Sequence, residues 1–146
     1  MGRPTNTQFA LAVHMATLLA ASAPRVLSSE EMAGSAGSNP VHVRRVLARL
    51  RTAGLVGSRP GVGGGWHLVA DPARTTLADI WRVIQGGDPV LGLHGANPDC
   101  EVGQGVQAAL VGVDRRAAGA IEAELERTTI AELVAQTAGA TLRRVS

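Results

Sequence analysis

Residues 28–55 read SSEEMAGSAGSNPVHVRRVLARLRTAGL, and this stretch decides the fold. Ser28 or Ser29 can cap a helix whose first turn carries Glu30 and Glu31, where the helix dipole favours acids. That helix must be short, because Gly34, Gly37 and the following Ser-Asn-Pro stop it. Asn39 with Pro40 behind it is a strong start signal for the next helix, since proline lacks only a donor that the first turn leaves unpaired. Gly54 ends that helix after Ala53. Ala33, Gly37 and Val43 have the spacing of a helix-turn-helix. The small residue allows a close helix crossing, the glycine supplies a positive φ in the turn, and Val43 points into the core with Leu47 and Leu50.

Outward from this unit, Thr5, Asn6 or Thr7 can cap a helix to about Ala21, with Phe9, Val13, Met15, Ala16 and Leu19 as its apolar stripe. Pro24 ends it. The apolar run Phe9–Ala23 ends in Ala-Ser-Ala, as a secretion leader does. His14 and Thr17 interrupt it and only Arg3 precedes it, so it reads as a core helix, and it is too short to span a membrane. Downstream, Leu55–Arg59 and Trp66–Ala70 read as two strands joined by the turn Pro60-Gly61-Val62-Gly63-Gly64-Gly65, a β-hairpin. Thr76 and Asp79 make a capping box for a helix ending at Gly86-Gly87. Residues 88–103 form a loop containing Cys100; a long helix follows from about Gln104 to Arg127, and Thr129 caps one more short helix.

The expected architecture is mainly α with a small β-hairpin wing: a winged helix-turn-helix over 1–87, the loop 88–103, and a long helix with its tail over 104–146 as an appended oligomerisation element.

Charge follows the same division. Over residues 1–82 nine Arg face only Glu30, Glu31, Asp71 and Asp79, a balance of +5, whereas residues 83–146 balance at −3. Five Arg and no acid lie between Asn39 and Arg59, so the first half is expected to meet a polyanion. The N-terminal part of a recognition helix reaches base edges in the major groove. Asn39, His42, Arg44 and Arg45 are therefore candidate base or phosphate contacts, joined by Pro40, Arg49 and Arg51 on the same helix, by Thr7 and Ser29, and by Arg59, Gly61, Gly63 and Gly64 in the wing. Arginine suits both roles, because its planar fork grips guanine O6 and N7 or a phosphate. The glycine turn also resembles a nucleotide loop in isolation. That chemistry needs a helix N-terminus after the turn, and here Trp66-His67-Leu68-Val69 continues as a strand.

An enzyme needs a nucleophile, base and orienter, or a metal, and no such set stands out. Glu122, Glu124 and Glu126 alternate round their helix as a solvated face. The four histidines lack the close spacing of a helix-borne zinc site, so no metal and no cofactor are expected. A winged helix that binds protein rather than nucleic acid is the alternative, but it predicts a less Arg-rich third helix.

The stretches 29–33, 39–51 and 53–56, the wing 61–68 and Thr76-Leu77-Ala78-Asp79-Ile80 together resemble the Rrf-two group of bacterial winged-helix regulators, which includes IscR, NsrR and CymR. The resemblance covers nearly the whole chain. It implies a homodimer joined by the long C-terminal helix, with recognition helix and wing on palindromic double-stranded DNA, most simply as a repressor that occupies a promoter. Two departures stand out. Pro60 occupies the place before the wing glycines where members commonly have Arg, with Arg59 one residue earlier; this counts against minor-groove reading by the wing 57–67, whose expected contact is the backbone or the minor groove. Cluster-binding members carry three cysteines in the loop after the fourth helix, and this chain has only Cys100. One thiolate per subunit cannot give the usual cysteine ligation of an iron–sulfur cluster, so none is expected. Cys100 is instead either an unreactive, partly buried cysteine or a candidate redox sensor: the dipole of the following helix favours a thiolate, while Asp99 and Glu101 oppose it. A single cysteine excludes an internal disulfide and fits a reducing, cytoplasmic setting with no membrane. A small-molecule effector between the wing domain and the long helix is compatible with the sequence.

Overall fold

The computed structural model describes residues 7–145, with side chains described as far as Gly139. The capping candidates Thr5 and Asn6 lie outside the described residues. The helices are α1 (Thr7–Ser22), α2 (Ser29–Ala36), α3 (Pro40–Thr52), α4 (Leu77–Gln85), α5 (Glu101–Leu125) and α6 (Ile130–Val145). Strands β1 (Val56–Arg59) and β2 (Gly65–Leu68) form an antiparallel hairpin between α3 and α4.

Local chemistry sets these ends. Ser28 caps α2 by accepting from Glu31 N, and the Glu31 carboxylate accepts from Ser28 N at 2.8 Å. Gly34 is tolerated inside α2, and Gly37 closes it at φ 60° in the left-handed region. Asn39 caps α3 by accepting from Val41 N at 2.8 Å, with Pro40 at the first helical position. Thr76 and Asp79 form the expected capping box on α4. Each such cap is worth about 1 kcal/mol.

One core joins these elements. Met15 and Leu19 of α1, Met32 of α2, Val43, Leu47 and Leu50 of α3, Ile80 of α4 and Ile130 of α6 are all at most 1% exposed. Phe9 and Trp81 meet edge to face with ring centroids 5.3 Å apart. The apolar run 9–23 is therefore spent on the core. No helix among the described residues is long and apolar enough to cross a membrane.

Two expectations about the C-terminal half differ from the structure. The long helix starts at Glu101, three residues before the expected Gln104, because Cys100 itself serves as its N-cap, accepting from Gly103 N at 3.3 Å. The last helix is not short: it runs from Ile130 to Val145 and packs on α1. Thr129 accepts from Glu132 N to start it, Ile130 is fully buried, and Thr76 and Thr129 pair across an isolated β-bridge. The packing thus sets α6 against α1 of the winged-helix unit.

Helix α5 stands apart, with none of its residues buried. It is tied to α4 by Arg82, which donates to Glu122 at 3.2 Å and to Glu126. The two carboxylates, Glu126 first, hold the Arg82 guanidinium more firmly protonated, against a smaller opposing effect of burial.

Candidate nucleic-acid interface

Helices α2 and α3 form the helix-turn-helix, and the apolar side of α3 is fixed in the core by Val43, Val46, Leu47 and Leu50. Its other sides carry the polar candidates, and the structure sorts them. Arg45 is exposed and has no partner among the described residues. Arg44 is also exposed and touches Glu30 at 3.3 Å. An exposed pair of this kind is worth about 0–1 kcal/mol, so a phosphate can displace the acid. Asn39 keeps its side-chain amide N–H groups free while its oxygen caps the helix. Pro40 and His42 are half-buried, and His42 lines a shallow groove together with Thr7 and His14. Thr7 is exposed at the described start of α1.

The other two arginines of α3 face their own protein. Arg49 donates to the Val83 and Ile84 carbonyls at 3.0 and 2.7 Å, and to Gln8 at 3.0 Å. It closes the C-terminal end of α4, where the last helical carbonyls lack partners. Arg51 lies over the Trp66 ring, 5.4 Å from its centroid, and donates to Ser58 Oγ at 3.3 Å. Ser29 is likewise engaged within the protein: it is 7% exposed and accepts from the Trp66 indole at 3.1 Å. Trp66, which the sequence pattern marks only as a strand residue, thus connects α2, α3 and the wing.

In the wing, Val56 pairs with Leu68, Gly57 with His67, Ser58 with Trp66 and Arg59 with Gly65. Leu27 adds a third segment, exchanging hydrogen bonds of 3.0 and 2.7 Å with Trp66. Arg59 is exposed at the base of the turn, without a partner among the described residues. Gly61 and Gly63 are exposed at the tip with φ of 89° and 76°, and Val62 between them is fully solvated. Gly64 answers to packing: a Cβ there lies 2.1 Å from the Arg59 carbonyl oxygen. Val62 is a tip residue that the sequence reading passed over, since an apolar residue among glycines carries no local signal.

Cys100 is exposed at the start of α5. The donor set does not fit a resident iron centre. The chain has one thiol, and no group of three His, Cys, Asp or Glu side chains among the described residues could hold a metal ion.

The arrangement has close counterparts. Residues 5–136 match the Rrf2 family, described as an iron-dependent transcriptional regulator. The HTH-type transcriptional regulator YwnA of Bacillus subtilis is 34% identical over 130 residues, covering 88% of this chain and 96% of YwnA. A crystal structure described as that of a DNA-binding protein is 32% identical, with a TM-score of 0.69 over 87% of this chain and 98% of its own. IscR of T. potens superposes with a TM-score of 0.65 at 25% identity, over 94% of this chain and 90% of its own. Fold, motif order and sequence agree, and the chain belongs to the Rrf2 family: it is a winged-helix transcriptional regulator and not an enzyme.

Proposed function

We propose that the chain binds double-stranded DNA as a homodimer and represses transcription by occupying a palindromic operator in the cytoplasm. One observation carries this reading. The guanidiniums of Arg45 on α3 and Arg59 in the wing are exposed and uncommitted and Arg44 is readily freed, whereas the other arginines of α3 bond within the protein. Exposed cations that the fold does not need suit a polyanion. In this reading Arg44, Arg45 and Asn39 enter the major groove, Thr7 and His42 meet adjacent backbone, and Arg59 with the tip 61–64 meets backbone or minor groove.

Helix α5 supports the dimer. It is 25 residues long with no buried position, and Val102, Val106 and Val113 are exposed at 76%, 46% and 39% with spacings that keep them on one side. Two-fold pairing there sets two recognition helices on two half-sites of a palindrome. The exposed thiol of Cys100 at the head of the same helix is the candidate signal input.

Fluorescence anisotropy on DNA from upstream of the chain's own gene, over a series of salt concentrations, tests the reading. Binding should exceed that to random DNA and fall steeply with salt as counterions are released. Absence of binding even at low salt sinks the DNA reading and leaves a protein-binding winged helix in its place. With oxidant added, a response that persists unchanged in Cys100→Ser removes the thiol as sensor.

A further inference from the structure

Beside the wing, two arginines and a histidine from three segments converge on one cleft, and one of them is the Arg59 already assigned to the DNA-facing set. Arg25 from the α1–α2 connection, Arg59 from β1 and His67 from β2 line a cavity of about 210 Å³ whose remaining wall is apolar, including Leu19, Pro24 and Leu68. Strand register places Arg59 and His67 on the same side of the hairpin, opposite to the side on which Ser58 and Trp66 meet Arg51. The acid bonded at the cleft is Glu31, held 2.9 Å from Arg25, and its carboxylate is shared with the backbone N–H of Ser28. The balance of charge is therefore positive. A second observation points the same way. His67 Nδ1 is buried without a hydrogen-bond partner, the one such side-chain nitrogen or oxygen among the described residues. Buried polar atoms are nearly always paired, so this ring in the cleft wall has a hydrogen-bonding capacity that its own chain leaves unused.

We propose that this cleft binds a phosphate-type oxyanion. Two guanidinium forks supply donors of the geometry that phosphate oxygens accept, and the His67 imidazole stands in the same lining. The volume lies below the roughly 300–1,000 Å³ of sites for drug-sized ligands, so the occupant is a small anion or one group at the edge of a larger one. The same chemistry is offered by a free phosphate-bearing effector and by the DNA backbone. The inference goes beyond the DNA reading, because a free anion needs no DNA.

Isothermal titration of inorganic phosphate into the full chain, with ionic strength balanced by chloride, tests it. Saturable binding weakened about tenfold or more in both Arg25→Gln and Arg59→Gln, and unchanged in Arg127→Gln, assigns the cleft to a free anion. If phosphate does not saturate but Arg25→Gln lowers the slope of log affinity for duplex DNA against log salt by about 1, the occupant is a backbone phosphate. No phosphate binding together with an unaltered DNA slope in Arg25→Gln overturns the proposal while leaving the DNA reading standing. Loss of DNA binding in the wild type sinks that reading alone, since the phosphate titration is read without DNA. Arg25→Gln should fold, because Glu31 keeps its bond to Ser28 N; circular dichroism of both variants verifies this.

Discussion

Arg49 of α3 donates to the Ile84 carbonyl oxygen at 2.7 Å, joining the recognition helix to the end of α4. Arg45, one turn earlier on the same helix, has no partner among the described residues. The two arginines should therefore separate cleanly on mutation. Arg49→Ala removes hydrogen bonds from a charged donor, worth about 1–2 kcal/mol once exposure is discounted. Its thermal midpoint should fall by several degrees while the salt slope of DNA binding is kept. Arg45→Ala should leave the midpoint alone and lower DNA affinity, with a slope reduced by about 1 if its contact is a phosphate. Thermal melts and anisotropy on the same preparations decide; a fall in stability for Arg45→Ala is the contrary result.

The Ser29–Trp66 bond predicts a stability effect at a position that sequence suggested for DNA. Ser29→Ala strands a half-buried indole N–H, at about 1–3 kcal/mol. Arg51→Ala removes a cation–π contact worth about 0.5–1 kcal/mol. Both variants should melt earlier, and the double variant should depart from additivity because the two residues share Trp66. Urea midpoints for the set of four proteins measure this. A fully stable Ser29→Ala with weakened DNA binding returns Ser29 to the interface.

Much of this fold was legible because short-range chemistry sets it. The caps at Ser28, Asn39 and Thr76 each act within three residues of themselves, as does the left-handed Gly37. The roles of Arg49, Arg51 and Ser29 were not legible. On the helix alone Arg49 and Arg51 look as solvated as Arg45, and only α4 and the wing, 34 and 15 residues further on, absorb them. The length of α6 was missed for a related reason: its burial against α1 is a long-range contact that outweighs weak local signals. Cys100 was read as preceding a helix, and the backbone shows it as the cap itself.

Gly64 should prove indispensable to the wing and dispensable to the helical core. A Cβ 2.1 Å from the backbone oxygen of Arg59 cannot be accommodated by a side-chain shift, so Gly64→Ala forces the turn open. Gly63→Ala meets open space and bears only the cost of φ 76°, about 1–2 kcal/mol. Hydrogen exchange should show lost protection across 56–68 in Gly64→Ala, a weaker loss in Gly63→Ala, and unchanged protection in α3. Equal behaviour of the two variants contradicts this ordering.

The dimer reading makes a demand on α5. A Glu at Val106 or Val113 places a charge on an apolar face that, in a dimer, is desolvated. Because neither position is buried in the single chain, the substitution should leave its fold intact and shift the mass measured by light scattering from dimer to monomer. DNA affinity should fall with it, since a monomer reads one half-site. A wild type that is already monomeric, or a Val106→Glu dimer of unchanged stability, rejects α5 as the interface.

Acid should act on the α2 cap. The Ser28 backbone N–H first, then Arg25, hold the Glu31 carboxyl below the usual carboxylate range. The folded state thus binds this proton more weakly than the unfolded chain does. The associated stability is present above the ordinary carboxylate range and is lost as pH falls through that range toward the lowered folded value. Glu31→Gln keeps a side chain able to complete the capping box but not its charge. The variant should therefore melt below the wild type at pH 7, and the gap should close as pH falls toward 3. Melting curves of the two proteins across that interval give the answer; a gap that stays constant into acid shows that the Glu31 charge contributes nothing to the cap.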